Sequence, residues 1–258
     1  MNNQRKVIHE IWDTFGQNFT KNKQEIDFPH LRELRDSIFC PGPYYYYIVD
    51  FSVRECSFVH ESVKDFFGLT HEEFTFDRII TGIHPDDLPF VVQCEEVVQR
   101  FLYEKIDHSD ILNYKINYCF RLRNGSDDYK LISHQALTLS MDDDGKISHV
   151  LNIHAEIEHL FVTNNRKISF LGLNGRPSYY CLDPFEPDFT TSGKDLIYTS
   201  RELEIIKLLA EGLTAEEIAS RLHISPDTVR THRRNILAKT ECRNTAQLIA
   251  KCIREGII

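Results

Sequence analysis

Basic character is what this chain lacks. Its 30 Lys and Arg stand against 39 Asp and Glu, a formal net charge of −9, which at first argues against a polyanionic partner such as nucleic acid. No apolar run approaches the roughly 20 residues that span a bilayer. The opening Met-Asn-Asn-Gln-Arg-Lys leads into an amphipathic pattern, not the apolar core of a signal peptide. A cytoplasmic location without a membrane partner is therefore expected. Seven cysteines, at 40, 56, 94, 119, 181, 242 and 252, include no C-x-x-C pair, so the expectation is reduced, mostly buried thiols and no zinc site. There is no phosphate-binding glycine loop, and no nucleophile–base pair or metal cluster at useful spacing. Hence no catalytic residue, no metal and no enzyme activity are expected.

What is present is uneven. At 258 residues the length suits two domains. From Thr199 onward ten Lys/Arg face eight Asp/Glu, or +2, and the remainder carries 20 against 31, or −11. Between Ser225 and Lys239 four basic residues face one acidic. That local excess is what phosphate binding requires.

The stretch from Thr199 to Lys239 holds three helices with explicit punctuation. Thr199 with Glu202, and Thr214 with Glu217, are capping boxes, in which side chain and backbone satisfy each other's orphan donors. Leu203, Ile206 and Ala210 mark the first buried stripe and Gly212 the stop; Ile218, Ala219 and Leu222 form the second core face. After the turn His223-Ile224, Ser225 caps a third helix that has Pro226 at its first position, where a missing N–H costs nothing. At 100° per residue Val229, His232 and Ile236 share one side of it, Arg230, Thr231 and Arg234 fall roughly opposite, and Thr228, Asn235 and Lys239 lie on a flank. An inward apolar side with an outward basic one suits a helix in the DNA major groove, where Arg reads guanine and Thr a base edge or thymine methyl. Thr, Asn and Lys alongside suit phosphate oxygens. The alternative is a solvated basic face on an ordinary helical domain.

Residues 199–255 resemble the C-terminal DNA-binding domain of the LuxR family, also called GerE-type. The resemblance rests on Thr199, Arg201, Glu202, the run Leu208 to Thr214, Glu217-Ile218-Ala219, Leu222, Ile224-Ser225, Thr228-Val229, His232, Asn235-Ile236 and Lys239. It implies a helix-turn-helix at 215–234 and DNA contacts from Ser225, Thr228, Arg230, Thr231, His232, Arg234, Asn235 and Lys239. Family members usually have Lys at Arg230 and Leu at Thr240, so the last turn here is expected to end differently. They often dimerise through a fourth helix. Here Asn244 caps such a segment, with Ala246, Ile249, Ala250 and Ile253 at helical spacing. Its exposed side is a candidate dimer face, unless it only closes the small core.

Upstream the pattern changes. Residues 3–38 read as helical, with Val7, Ile8, Ile11 and Trp12 in one stripe and Leu31, Leu34 and Ile38 in another. After Cys40-Pro-Gly-Pro come strands at Tyr45–Val49 and Val53–Val59, and a short helix stopped by Gly68. A helix capped by Thr70 and Glu73 follows, then a longer one from Asp86-Asp87 to about Tyr103. Three strands, at 115–122, 129–140 and 147–157, end the series. Two strands, helices, then three hairpin strands resemble a PAS domain, as do Phe67-Gly68-Leu69-Thr70 and Ile83-His84-Pro85-Asp86-Asp87. PAS domains are sensory and dimerising modules; some hold haem, flavin or metabolites. His84 with Asp86-Asp87 could be metal ligands or an acid–base pair, but a helix start explains all three. His60, His71, His108 and His134, like Cys56, Cys94 and Cys119, stand in no diagnostic context, and the flavin-adduct signature is absent. A hairpin at 167–182, turning at Asn174-Gly175, and a Pro/Asp/Ser-rich linker at 183–194 join the two parts.

The expected fold class is an α+β N-terminal PAS-like domain, an antiparallel sheet with helices, followed by an all-α four-helix helix-turn-helix domain. Its divisions are a helical extension at 1–40, the sensory domain at 41–160, hairpin and linker at 161–193, and the helix-turn-helix domain at 194–258. The expected function is a DNA-binding transcription regulator that acts as a homodimer on double-stranded DNA. It would be controlled by a small-molecule or protein signal, with no resident cofactor. A phosphorylated response regulator is disfavoured, because Asp142 to Asp144 lie in a hairpin turn and not at the ends of parallel strands.

Overall fold

The computed structural model describes residues 3–22, 42–160, 163–186, 198–254 and 257. The expected second N-terminal helix around residues 28–39, and most of the 183–194 linker, lie outside them.

One seven-stranded antiparallel sheet organises the N-terminal part, in the order β2-β1-β5-β4-β3-β6-β7. Its strands are β1 (Tyr44–Asp50), β2 (Glu55–Val59), β3 (Tyr114–Arg123), β4 (Tyr129–Met141), β5 (Ile147–Glu156), β6 (Ile168–Gly172) and β7 (Tyr179–Leu182). Between β2 and β3 run helices α2 (Val63–Phe67), α3 (Phe76–Gly82) and α4 (Leu88–Arg100). This is the order of strands and helices on which the PAS resemblance was drawn, and the domain is PAS-like. The 167–182 hairpin adds β6 to the edge of β3, with Ile116 opposite Phe170, so it extends the same sheet.

The first helix, α1 (Asn3–Thr14), closes the inner face of the sheet. Ile8 and Trp12 are buried in the same core as Tyr47, Phe51 and Phe76. The Trp12 ring stacks on Phe76 at 5.0 Å and meets Phe51 edge-on at 4.9 Å, arrangements that aromatic quadrupoles favour.

Two local expectations change. Thr70 and Glu73 make half of the expected capping box, the Thr70 N–H donating to the Glu73 carboxylate at 3.0 Å. Residues 71–73 form only a turn, and the helix begins at Phe76. Phe74 is buried just after it, but the backbone is extended again at Thr75, with φ −126° and ψ 155°, so the box closes a loop and not a helix. Asp87 does more than favour a helix start. It is buried, and its carboxylate accepts from the Arg121 backbone N–H at 2.8 Å, from Nε at 3.0 Å and from Nη2 at 2.7 Å. Burial pushes the Asp87 carboxyl up, but the hydrogen bonds and charge of Arg121 outweigh it and hold the group below its usual range. The bidentate pair ties α4 to β3.

A depressed carboxyl contributes stability that is present above the unfolded pKa and lost as pH falls through the folded one. Asp87→Ala should therefore cost about 2 kcal/mol at neutral pH and flatten the acid limb of the stability curve, as read by urea unfolding between neutral and acid pH.

The C-terminal part is four helices: α5 (Ser200–Ala210), α6 (Ala215–Leu222), α7 (Pro226–Lys239) and α8 (Thr245–Arg254). Ile205, Ile206, Ile218, Val229, Ile236 and Leu248 are among their shared core. Among the described residues no helix is long and apolar enough to cross a membrane.

Candidate nucleic-acid interface and interior cavity

Both C-terminal capping boxes form as the sequence spells them. Thr199 accepts from the Glu202 N–H at 3.2 Å and Glu202 accepts from the Thr199 N–H at 2.7 Å; Thr214 and Glu217 repeat the exchange at 3.3 and 2.7 Å. Hydrogen bonds from the Thr214 backbone and hydroxyl hold the Glu217 carboxyl below its usual range, so this cap is complete above that range and weakens as pH falls through it. Helix α6 ends on His223, whose left-handed φ of 53° turns the chain. The Ile224 N–H then donates back to the Ala219 carbonyl at 3.0 Å, and the Arg201 guanidinium donates to the Leu222 carbonyl at 3.0 Å. Ser225 caps α7, accepting from the Thr228 N–H at 3.1 Å.

This scaffold presents α7 with Val229 and Ile236 inward and Thr228, Arg230, Thr231, Arg233, Arg234 and Asn235 exposed. Not every expected contact residue is equally available. His232 is half-buried beside Val229 and Ile236. The Ser225 and Thr228 hydroxyls bond each other at 2.8 Å. Arg230 is held by two carboxylates, with Nη1 on Asp227 at 2.8 Å and Nη2 on Glu216. Lys239 donates to Glu202 at 3.0 Å and its ammonium lies 6.0 Å from the Tyr198 ring centre, so it bridges α7 to α5. Arg234 and Arg233 have no ion-pair partner among the described residues. Arg233 was missed in the sequence although it lies only about 60° from Arg230 around the helix. Helix α7 stops at Lys239, where the buried Thr240 hydroxyl donates to the Ile236 carbonyl at 2.8 Å; this is how the chain ends the helix without the family's Leu.

A second feature lies between the sheet and the helices. A cavity of about 90 Å³ is bounded by Trp12, Tyr47, Glu95, Tyr118, His134 and His154, among others. Its polar wall, with Tyr45 behind the lining residues, is laid down by strand register. Tyr45 pairs with His154, His154 with His134, and His134 with Tyr118, across β1, β5, β4 and β3. The Tyr45 hydroxyl sits 2.6 Å from His154 Nδ1, and His154 Nε2 sits 2.8 Å from His134 Nδ1. Burial pushes the His134 imidazole down to about 3, and lowers His154 as well, with its neighbour His134 opposing a second charge. Burial also raises the Glu95 carboxyl, against a 2.8 Å hydrogen bond from the Tyr118 hydroxyl. The Trp12 indole N–H, near enough to Glu95 to temper that rise, makes no hydrogen bond of proper geometry. The cavity wall is thus polar but uncharged on its histidine side. Of the histidines noted in the sequence, only His134 reaches this cavity; His84 instead lies beside Arg121 at 3.4 Å. Among the described residues no group of three or more His, Cys, Asp or Glu is placed to hold a metal.

Residues 196–252 match the family model of bacterial regulatory proteins, luxR family. The C-terminal domain is a LuxR-type helix-turn-helix domain. The chain is 41% identical over 61 residues to the uncharacterized transcriptional regulatory protein YxjL of Bacillus subtilis, 24% of this chain and 28% of that one. It is 44% identical over 59 residues to the uncharacterized response regulatory protein YgeK of Escherichia coli, 23% of this chain and 40% of that one. It is 42% identical over 60 residues to the response regulator VraR of Staphylococcus aureus, 23% of this chain and 29% of that one. The chain therefore spans well under half the length of these curated relatives. Among solved structures, the phage VqmA–DPO complex covers 89% of this chain and 88% of its own at 17% identity, with a TM-score of 0.31. A sensory box histidine kinase/response regulator from Burkholderia thailandensis covers 51% and 85% at 14% identity, with a TM-score of 0.34. Superpositions this loose decide nothing further.

Two outcomes test the geometry. Thr214→Ala should destabilise the helix-turn-helix domain by about 1 kcal/mol, read as an earlier unfolding transition. Because the folded pKa values of His134 and His154 lie below the unfolded value, their contribution is present above about pH 6.5 and lost as pH falls towards the folded values. Stability should decline on acidification through that window, and His134→Gln should lessen the slope, as followed by urea unfolding at stepped pH.

Proposed function

We propose that this protein is a sequence-specific DNA-binding transcription regulator in which the PAS-like domain senses a signal and governs the LuxR-type domain. The observation that carries the reading is α7 itself. It is a helix seated on two capped supports, buried along Val229 and Ile236, with Arg233 and Arg234 exposed and unpaired among the described residues. Arg234 and Thr231 are the base readers in this reading, with Asn235 and Ser225 beside them on phosphate. Arg230 joins once DNA displaces Glu216 and Asp227, which are exposed partners of the kind that yield readily. Lys239 contributes by holding α7 to α5. Two copies would act on a two-fold-related site, and the signal would be a small, uncharged molecule suited to the neutral polar wall of the cavity.

Binding to genomic fragments by gel shift, followed by anisotropy on the selected duplex, tests this. Arg234→Ala should cost about 1–3 kcal/mol on the selected duplex and much less on random sequence. Equal loss on both would remove the base-reading role, and no retention of any fragment would remove the function.

A further inference from the structure

The fourth helix is not an open face. Its Leu248 and Cys252 point into the core of its own domain. Its other apolar side, Ile249, Ala250 and Ile253, packs on Cys119 of β3, Leu131 of β4 and Ile157 just beyond β5. Ile253 is only 8% exposed and Cys119 only 1%. Nearby, Leu171 of β6 and Tyr180 of β7 enter the core of the helix-turn-helix domain. In this arrangement the sheet already covers the apolar side of α8, leaving Ala246 and Gln247 exposed.

Alternation along the strands gives this contact its meaning, since successive side chains of a strand point to opposite faces. On β3, Tyr118 and Phe120 line the cavity, and Cys119 between them lies under α8. On β4, His134 lines the cavity and Leu131 lies under α8. Cavity and contact are two faces of the same strands. Closely packed interiors do not deform continuously, so whatever repacks one face bears on the other. Charge sets the direction. The sheet belongs to the part of the chain with net −11, while the docked domain carries +2. A polyanion approaching α7 meets the field of that acidic body as long as the domain stays on it.

We propose that the outer face of the sensory sheet is a docking surface for α8 of the same chain, and that undocking raises DNA affinity. The docked form leaves α7 exposed but holds it against an acidic body and occupies the apolar side of α8. The undocked form releases both. This rests on the DNA-binding reading above.

The test uses the full chain and its own thiols. Leu131→Gln and Ala250→Gln alter the contact from its two sides; neither side chain belongs to the helix-turn-helix core or to the main sensory core. Alkylation of each cysteine is followed by mass spectrometry, with Cys94, a fully buried residue of α4, reporting on the sensory fold. Cys119 should label slowly in the unaltered protein and roughly tenfold or more faster in each variant, a local opening, with Cys94 unchanged. Affinity for the selected duplex should rise about fivefold or more, with the larger gain at low salt. The proposal is overturned if Cys119 of the unaltered protein labels as fast as the half-exposed Cys56. It is also overturned if Cys119 and Cys94 open together, or if Cys119 opens with affinity unchanged or lowered. Absence of DNA binding by every form would instead strike the functional reading, leaving the docking contact to be judged by the thiols alone.

Discussion

A sheet buried on both faces is the constraint from which the rest of this molecule follows. Antiparallel sheets commonly leave one face to water, and then the hydrophobic alternation can be read from sequence. Here β3 reads buried at nearly every position from Tyr114 to Leu122, because its inner residues meet α4 and the cavity, and on its outer side Cys119 packs with α8 and Asn117 bonds Ser133 of β4. The strand cannot shift register by one residue without exchanging the two sets. Tyr118 and His134 therefore keep their places in the cavity wall for the same reason that Cys119 and Leu131 keep theirs beneath α8.

The histidine–tyrosine row shows how such a constraint produces chemistry. Four residues far apart in the chain stand side by side because they are register partners on adjacent strands. Their burial keeps both imidazoles neutral, and neutral polar groups in a dry wall discriminate by hydrogen-bond pattern, not by net charge. Opposite them, Glu95 is pushed towards its protonated form by the same burial.

Most of the C-terminal domain was legible because its signals are local. Capping boxes, a Ser-Pro start and a 3.6-residue period need no partner beyond one turn away, and Thr199, Thr214 and Ser225 behave as written. The strands of the PAS-like domain were legible for similar reasons, as was the Asn174-Gly175 turn. Illegible features depend on distant partners. Thr70-Glu73 carries the same letters as the other boxes, and Phe74 after it is buried, yet the chain is extended again at Thr75 and the helix starts only at Phe76. Asp87 looked like part of a helix start until Arg121, 34 residues on, closed on it. Nothing in 245–254 distinguishes a helix side that meets another copy from one that meets its own sheet. The acidic neighbours of Arg230 are likewise set by the angle between α6 and α7, which spacing alone does not give.

The composition holds one more consequence. Trp12 is the sole tryptophan in the chain, and it sits in the cavity wall with its ring on Phe76 and its N–H unsatisfied. Indole emission shifts with the polarity and hydrogen bonding around that nitrogen. The indole fluorescence of the unlabelled protein, excited beyond the absorption of its 11 tyrosines, thus originates at a single interior point, and its colour is a built-in gauge of what fills the space beside Glu95.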